Sequence, residues 1–335
     1  MSQLASFVEG FSNRTILVLG DLIADEYIYG KPARISREAP VVILRYESRE
    51  VLLGGAANAS HNVHTIGARV IPIGVVGPDQ AGREIRSLFK SIGIPDDGLV
   101  EAADHQTPVK TRIMAGGYQS TRHQMVRVDR EPDSPISPSV EAQLIEKLRL
   151  FSSRADAIVL SDYGYGTATP RVVEEALLIG GRNGHLVAAD SRYDLIRFRG
   201  VTAATPNEPE VEQLTGASLD DDRAVEKAGR QLLDRLDARY LLITRGSLGM
   251  ALLERGGPAT FFPIYGSDQI ADVTGAGDIV ITTFTAALAS GAEAAEAAWL
   301  ANLAGGMKVM KRGTAPVTRE ELLQAIAHGD PHQHS

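Results

Sequence analysis

The chain has no cysteine in its 335 residues. That excludes a disulfide scaffold, a thiolate zinc site, an iron–sulfur cluster and a thiol nucleophile, and it fits a reducing cytosol. Positive charge is also scarce, with 34 Lys and Arg against 42 Asp and Glu and a net charge of -8. A general nucleic-acid binder needs the opposite balance, so an anionic ligand must be held locally. No long hydrophobic run is present: the apolar-rich stretch Ile279 to Ala292 is studded with Thr and falls short of the roughly 20 residues that span a bilayer. Met1 to Gly10 carries Glu9 and no basic region leading into an apolar one, so no signal peptide is read there and a cytoplasmic location is expected.

Several chemical signatures are missing too. There is no G-x-x-x-x-G-K-[ST] phosphate loop, no G-x-S-x-G and no H-E-x-x-H. Gly164-Tyr165-Gly166 has Thr169 where a dinucleotide fingerprint needs its third glycine, which weakens a dehydrogenase reading. His61 and His64 lie three apart on an expected helix with no acidic partner nearby, and read as ordinary helix residues.

What remains is an α/β pattern. Apolar residues at 44% and charged residues at 23% can build an ordinary core. Short β-branched runs (Thr15 to Leu19, Val70 to Val76, Ala157 to Leu160, Leu186 to Ala189, Tyr240 to Thr244) alternate with stretches of helical period. Helices are expected over 56–66, 83–92, 170–178, 223–236, 279–289 and 294–309, with a last one opened by the capping box Thr318/Glu321. The alternation predicts a mostly parallel sheet with helices on both faces. Tyr27 to Tyr46 and Thr107 to Val128 interrupt it with β-rich segments, read as a small antiparallel lid or oligomer clasp; edge hairpins of the main sheet are the other reading. One domain over 12–328 is expected, with a disordered tail at 329–335.

The strongest local signal is Asp272-Val273-Thr274-Gly275-Ala276-Gly277-Asp278, a glycine-rich turn running into an apolar helix near Ile279. Small residues let backbone approach a phosphate, and free N–H groups at a helix start favour negative charge. An acid there is either a cap or a general base, Asp278, taking a proton from a hydroxyl while Gly275, Ala276 and Gly277 hold developing charge. Gly54-Gly55-x-x-Asn58 opens another helix with an amide that suits a polar ligand. Asn207-x-x-Glu210 pairs hard oxygen donors that suit magnesium through water, or an N-cap. Gly20-Asp21, with Asp25 beyond it, puts carboxylates at the sheet edge where open α/β folds bind ligands, and Thr244-x-Gly246-x-x-Gly249 follows a late strand similarly.

These motifs, in this order from about Thr15 to Ala327, resemble the ribokinase-like (PfkB) family of ATP-dependent sugar kinases. The resemblance implies Asp278 as base, an anion hole at Gly275 to Gly277, and a sugar held by Asp21, Asp25, Gly54, Gly55, Asn58 and Asp162. ATP is then expected near Asp190, Asn207, Thr244, Gly246, Gly249, Thr274 and Asn302, with magnesium held mainly through water at Asn207 and Glu210. A potassium ion beside Asp272 would also fit the family. Within it, Gly20-Asp21-x-x-x-Asp25-x-Tyr27-x-x-Gly30, Arg34-Ile35-Ser36-x-Glu38-Ala39-Pro40-Val41 and Ser161-Asp162-Tyr163 look like the heptose 7-phosphate kinases of lipopolysaccharide core synthesis. Their acceptor is the anomeric hydroxyl of D-glycero-D-manno-heptose 7-phosphate. Its far phosphate needs cations, and Arg34, Arg37, Lys110, Arg112, Arg122 and Arg127 stand in the two lid segments.

Departures exist: Tyr165 stands where a Lys is usual, Asp190-Ser191-Arg192 replaces Asp-Pro-Lys, and Leu53 precedes the glycine pair. A kinase for ribose, fructose 1-phosphate or a nucleoside therefore stays open, as does a silent sugar or nucleotide sensor. No H-x-G-H nucleotidyltransferase signature is found, so the kinase step alone is expected, with no membrane or nucleic-acid partner and a homodimer joined through lid strands.

Overall fold

The run Thr15–Gly20 forms the first strand, β1, and all six of its residues are buried. Its side chains alternate between two cores, Ile16 and Val18 in one and Leu17 and Leu19 in the other. A parallel strand covered on both faces has this pattern. The structure, a computed structural model, describes residues 3–116, 122–266, 273–311 and 315–328.

The further strands are β2 (Leu22–Ile35), β3 (Val42–Gly55), β4 (Arg69–Val76), β5 (Leu99–Glu101), β6 (Val109–Ala115), β7 (His123–Arg130), β8 (Ala157–Asp162), β9 (Leu186–Ser191), β10 (Ala203–Ala204), β11 (Tyr240–Thr244), β12 (Met250–Glu254) and β13 (Ala259–Phe262). Nine of them form the main sheet in the order β13-β12-β11-β10-β9-β8-β1-β4-β5. It is parallel except where β12 pairs antiparallel with β11 and β13. Helices Ala56–Thr65, Ala276–Ala289 and Ala294–Val309 cover one face; Pro138–Ser152, Pro170–Asn183 and Asp222–Leu236 cover the other.

The second sheet has four strands in the order β3-β2-β6-β7. Its register sets Asp25 beside Lys110, Tyr27 beside Arg112, Arg112 beside Arg127 and Lys110 beside Asp129. Because side chains alternate along a strand, these six share one face, while Glu26, Ile28, Thr111, Ile113, Val126 and Val128 share the other.

The ribokinase-like architecture with a smaller sheet is as expected, and four boundaries move. The small sheet is longer than 27–46 and 107–128, because β2 leaves the main sheet at once and pairs with β3 from Leu22 to Gly55. A helix at Gln3–Gly10 packs on the last helix, Arg319–His328, with Arg319 donating to the Glu9 carbonyl at 3.1 Å, so the unit starts before residue 12. Gln80–Ser91 begins three residues early because Asp79 caps it through Gly82 N–H at 2.8 Å. Ala276–Ala289 also begins early, so Asp278 lies inside its first turn. The capping box at Thr318/Glu321 is present, with reciprocal contacts of 3.2 and 2.8 Å. Residues 329–335 lie outside the described residues, as does Asp272.

Candidate active site

The turn before Ala276–Ala289 is built by Gly275, whose φ of 74° is left-handed and whose missing Cβ would stand 2.6 Å from Asn58 Nδ2. Glycine therefore brings Asn58 and Asp278 together. Asn58 donates to Asp278 Oδ2 at 2.6 Å, and the Tyr163 hydroxyl donates to Oδ1 at 3.0 Å. The carboxyl of Asp278 is 3% exposed, and burial pushes it up to about 6 against the pull of these two donors; Asp25 raises it further and Lys110 lowers it. A carboxyl poised near neutrality is matched to proton abstraction. The first-turn amides, Gly277 and Asp278 among them, have no carbonyl partner inside the helix. Ala276 N–H is different, because it donates to Val273 O at 3.2 Å, so the expected three-residue anion hole has one amide already engaged in the turn.

On one side of Asp278 lies a cavity of about 700 Å³ lined by Asp190, Asn207, Glu210, Thr244, Asn302 and Gly277, with Gly246 and Gly249 at its rim. Its apolar wall includes Met250, Ile264, Val280 and Val309, none of which stood out in the sequence. Such a cleft, apolar with a few fixed polar groups, suits a nucleotide base and sugar. Asn302 is turned by its Nδ2, which donates to Pro263 O at 2.7 Å. Thr274 stands next to Gly275 in the turn and does not line the cavity.

Asn207 and Glu210 form a reciprocal capping box, with contacts of 2.9 and 3.0 Å, on the helix Glu208–Thr215. The cap leaves Glu210 Oε1 unused by it. Burial raises the Glu210 carboxyl, and burial together with Glu210, Asp278 and Asp162 raises Asp190 well above the usual range. Arg192 and the Asn207 N–H pull the Glu210 carboxyl the other way. Among the described residues no three acidic or histidine side chains converge as ligands for a metal ion.

On the other side lies the charged face of the small sheet. Asp25 is 5% exposed, pairs with Arg112 at 2.7 Å, and sits against Gly54, where a Cβ would come within 2.7 Å of its carboxylate. Gly55 makes the turn into Ala56–Thr65 with φ 56°. Lys110 rests on the ring faces of Tyr163 and Tyr165, 4.8 and 5.6 Å from their centres, and burial lowers its ammonium. Arg127 is held bidentately by Asp129 at 2.9 and 2.8 Å.

Three of the residues expected at the sugar are engaged elsewhere or lie away from Asp278. Asp21 is 1% exposed, and its carboxylate accepts the backbone N–H of Tyr163, Tyr165 and Thr167 at 2.8 to 3.0 Å, so it ties the loop after β8. Asp162 is engaged by Ser191 Oγ at 2.7 Å, Gly164 N at 3.2 Å and Arg197 at 2.8 Å. Arg37 lies exposed in the connection between β2 and β3, at the far end of the hairpin from the Asp25/Leu52 pair. The residue missed is Tyr163, whose only sequence signal was its place behind Ser161-Asp162.

A model of the pfkB family carbohydrate kinases matches residues 13–321. The chain belongs to that family. The pfkB chain is 37% identical over 328 residues to bifunctional protein HldE of Citrifermentans bemidjiense, covering 98% of this chain and 66% of that protein. It is 40% identical over 332 residues to HldE of Caulobacter vibrioides, covering 98% and 67%. It thus spans about two thirds of the length of these curated relatives. In fold it is similar to Arabidopsis thaliana ribokinase complexed with ribose and ATP (TM-score 0.71, 18% identity, 93% and 98% of the two chains) and to Escherichia coli phosphofructokinase-2 in complex with potassium (TM-score 0.76, 17% identity, 94% and 98%). The pfkB assignment makes this chain an ATP-dependent sugar kinase. No helix among the described residues is long and apolar enough to cross a membrane.

Proposed function

We propose that the chain transfers the γ-phosphoryl group of ATP to the anomeric hydroxyl of D-glycero-D-manno-heptose 7-phosphate, a step of lipopolysaccharide core precursor synthesis in the cytoplasm. The observation that carries this reading is the position of Asp278: buried, near-neutral and set between the nucleotide cavity and a cationic sheet face. The sugar oxygen forms a bond to the γ-phosphorus as the bond to ADP breaks, and its proton passes to the Asp278 carboxylate. The Gly277 and Asp278 amides stabilise charge on the transferred group. Asp25 and Asn58 orient the acceptor, while Lys110, Arg112 and Arg127 face its far phosphate. Asn207 and Glu210 would hold a magnesium ion mainly through water, and that ion would neutralise charge on the triphosphate; a potassium ion beside Asp272 is what the family resemblance implies. The small sheet acts as a lid that excludes water.

One observation favours a runner-up. Arg112 and Arg127 are each already in a salt bridge with a carboxylate, Asp25 and Asp129, whereas Lys110, the third of these cations, rests on two tyrosine rings and feels Asp25 and Asp129 only at longer range. A kinase for a sugar without a second phosphate fits that balance. ADP release with MgATP, measured across heptose 7-phosphate, ribose, fructose 1-phosphate and nucleosides, separates the two.

We also infer a homodimer through the outer face of the small sheet. Val42, Tyr46, Met125, Val126 and Val128 are 42–65% exposed there, a contiguous apolar patch that a monomer rarely leaves in water. Val126→Lys should shift sedimentation from dimer to monomer, and an unchanged sedimentation coefficient refutes this interface.

A further inference from the structure

Each oxygen of the Asp278 carboxylate already holds one fixed donor, Asn58 on Oδ2 and Tyr163 on Oδ1. A carboxylate oxygen has room for a second hydrogen, so the carboxylate can still take the acceptor's proton, but its plane and rotation are set. The Tyr163 donor is itself fixed. Its backbone N–H is tied to Asp21 Oδ2 at 2.8 Å, and the Lys110 ammonium lies over its ring. Burial and the neighbouring acids hold the phenol protonated, so it stays a donor while Asp278 changes charge.

We propose that Tyr163 is the positioning residue of the acceptor's base, its phenol holding one carboxylate oxygen of Asp278 in line with the sugar hydroxyl and favouring the ionised form. The inference rests on the reading of Asp278 as base and adds the residue that makes it one. Asn58 fixes one oxygen only, and the phenol fixes the other, so the two donors together set the plane of the carboxylate. Other charged groups face Asp278 from the surrounding elements: Asp25 on β2, Lys110 on β6 and Asp190 on β9. Asp25 and Asp190 oppose ionisation, Lys110 supports it, and the phenol is the donor in contact whose removal takes away no charge.

The test compares wild type with Tyr163→Phe, which removes the hydroxyl and keeps the ring. Carboxylates are labelled with carbon-13 on aspartate, the resonance absent from Asp278→Asn assigns Asp278, and its titration is followed without substrate. The midpoint should rise by about one pH unit in Tyr163→Phe, the scale of a hydrogen bond to a charged group. The acid limb of kcat at saturating MgATP, with the fastest acceptor from the sugar panel, should rise by the same amount. Turnover well below the midpoint, near pH 5, should fall about tenfold, while at pH 7.5 the change in ionisation alone costs less than about twofold and KM for ATP stays within twofold. An unmoved midpoint and limb overturn the proposal, whatever happens to kcat. If Tyr163→Phe does not fold, difluorotyrosine at position 163, a stronger donor of nearly the same shape, should lower the midpoint, and a midpoint that stays put or rises overturns it. Failure of the underlying reading looks different: Asp278→Asn would then retain near wild-type turnover.

Discussion

Asp21 and Asp278 lie at the same edge of the main sheet, 1% and 3% exposed, and are put to opposite uses. Burial raises both carboxyls. Asp21 meets three backbone N–H groups of one loop, which spend its oxygens on holding Tyr163, Tyr165 and Thr167 in place. Asp278 meets two side-chain donors, one on each oxygen, which leaves each oxygen room for a further hydrogen. A buried carboxylate saturated by backbone is a fastener, and one partly satisfied beside a cavity can react.

The sharpest way to break the contrast is Asp278→Asn. Turnover should fall by about 10² to 10⁴-fold, the contribution of a general base, with ATP binding nearly intact by calorimetry. Asp21→Ala should do the reverse. Leaving buried amides unpaired costs roughly 3 kcal/mol, seen as a lower denaturant midpoint, so thermodynamic loss and not a selective loss of kcat is expected. The third expectation concerns pH. The folded carboxyl of Asp278 sits at about 6, above its ordinary 3.8, so its contribution to stability is fully present below about 3.8 and is lost as pH rises through 6. Asp278→Asn should therefore be more stable than wild type at pH 7.5, by on the order of 3 kcal/mol, and the advantage should vanish below about pH 3.8 in paired denaturation curves.

The parallel sheet was legible because its strands are short apolar runs separated by helical periods, and the Gly275 turn because only small residues permit that approach. The small sheet was legible as an interruption, but its length was not, since β2 follows β1 after one residue and no turn signal separates them. The helix Pro138–Ser152 passed unread although Ser137 caps it and Pro138 opens it, because the polar stretch before it masks the start. At the site, motif spacing singled out Asp278 and Asn58, which the structure brings into contact, and polar residues of the cavity such as Asn207, Thr244 and Asn302, but not its apolar wall. The roles of Asp21 and Asp162 were not, because a carboxylate at a strand end looks the same in sequence whether it faces a ligand or a loop backbone. Tyr163 escaped for the complementary reason, since its function depends on a residue 115 positions away.

The most direct test of the account is phosphorus-31 NMR of the purified chain with MgATP and D-glycero-D-manno-heptose 7-phosphate, run beside Asp278→Asn. The account predicts a new anomeric phosphate resonance on the sugar with stoichiometric ADP in the wild type and none in the variant. Formation of ADP and a sugar phosphate only from a neutral sugar, or an equally active variant, would contradict it.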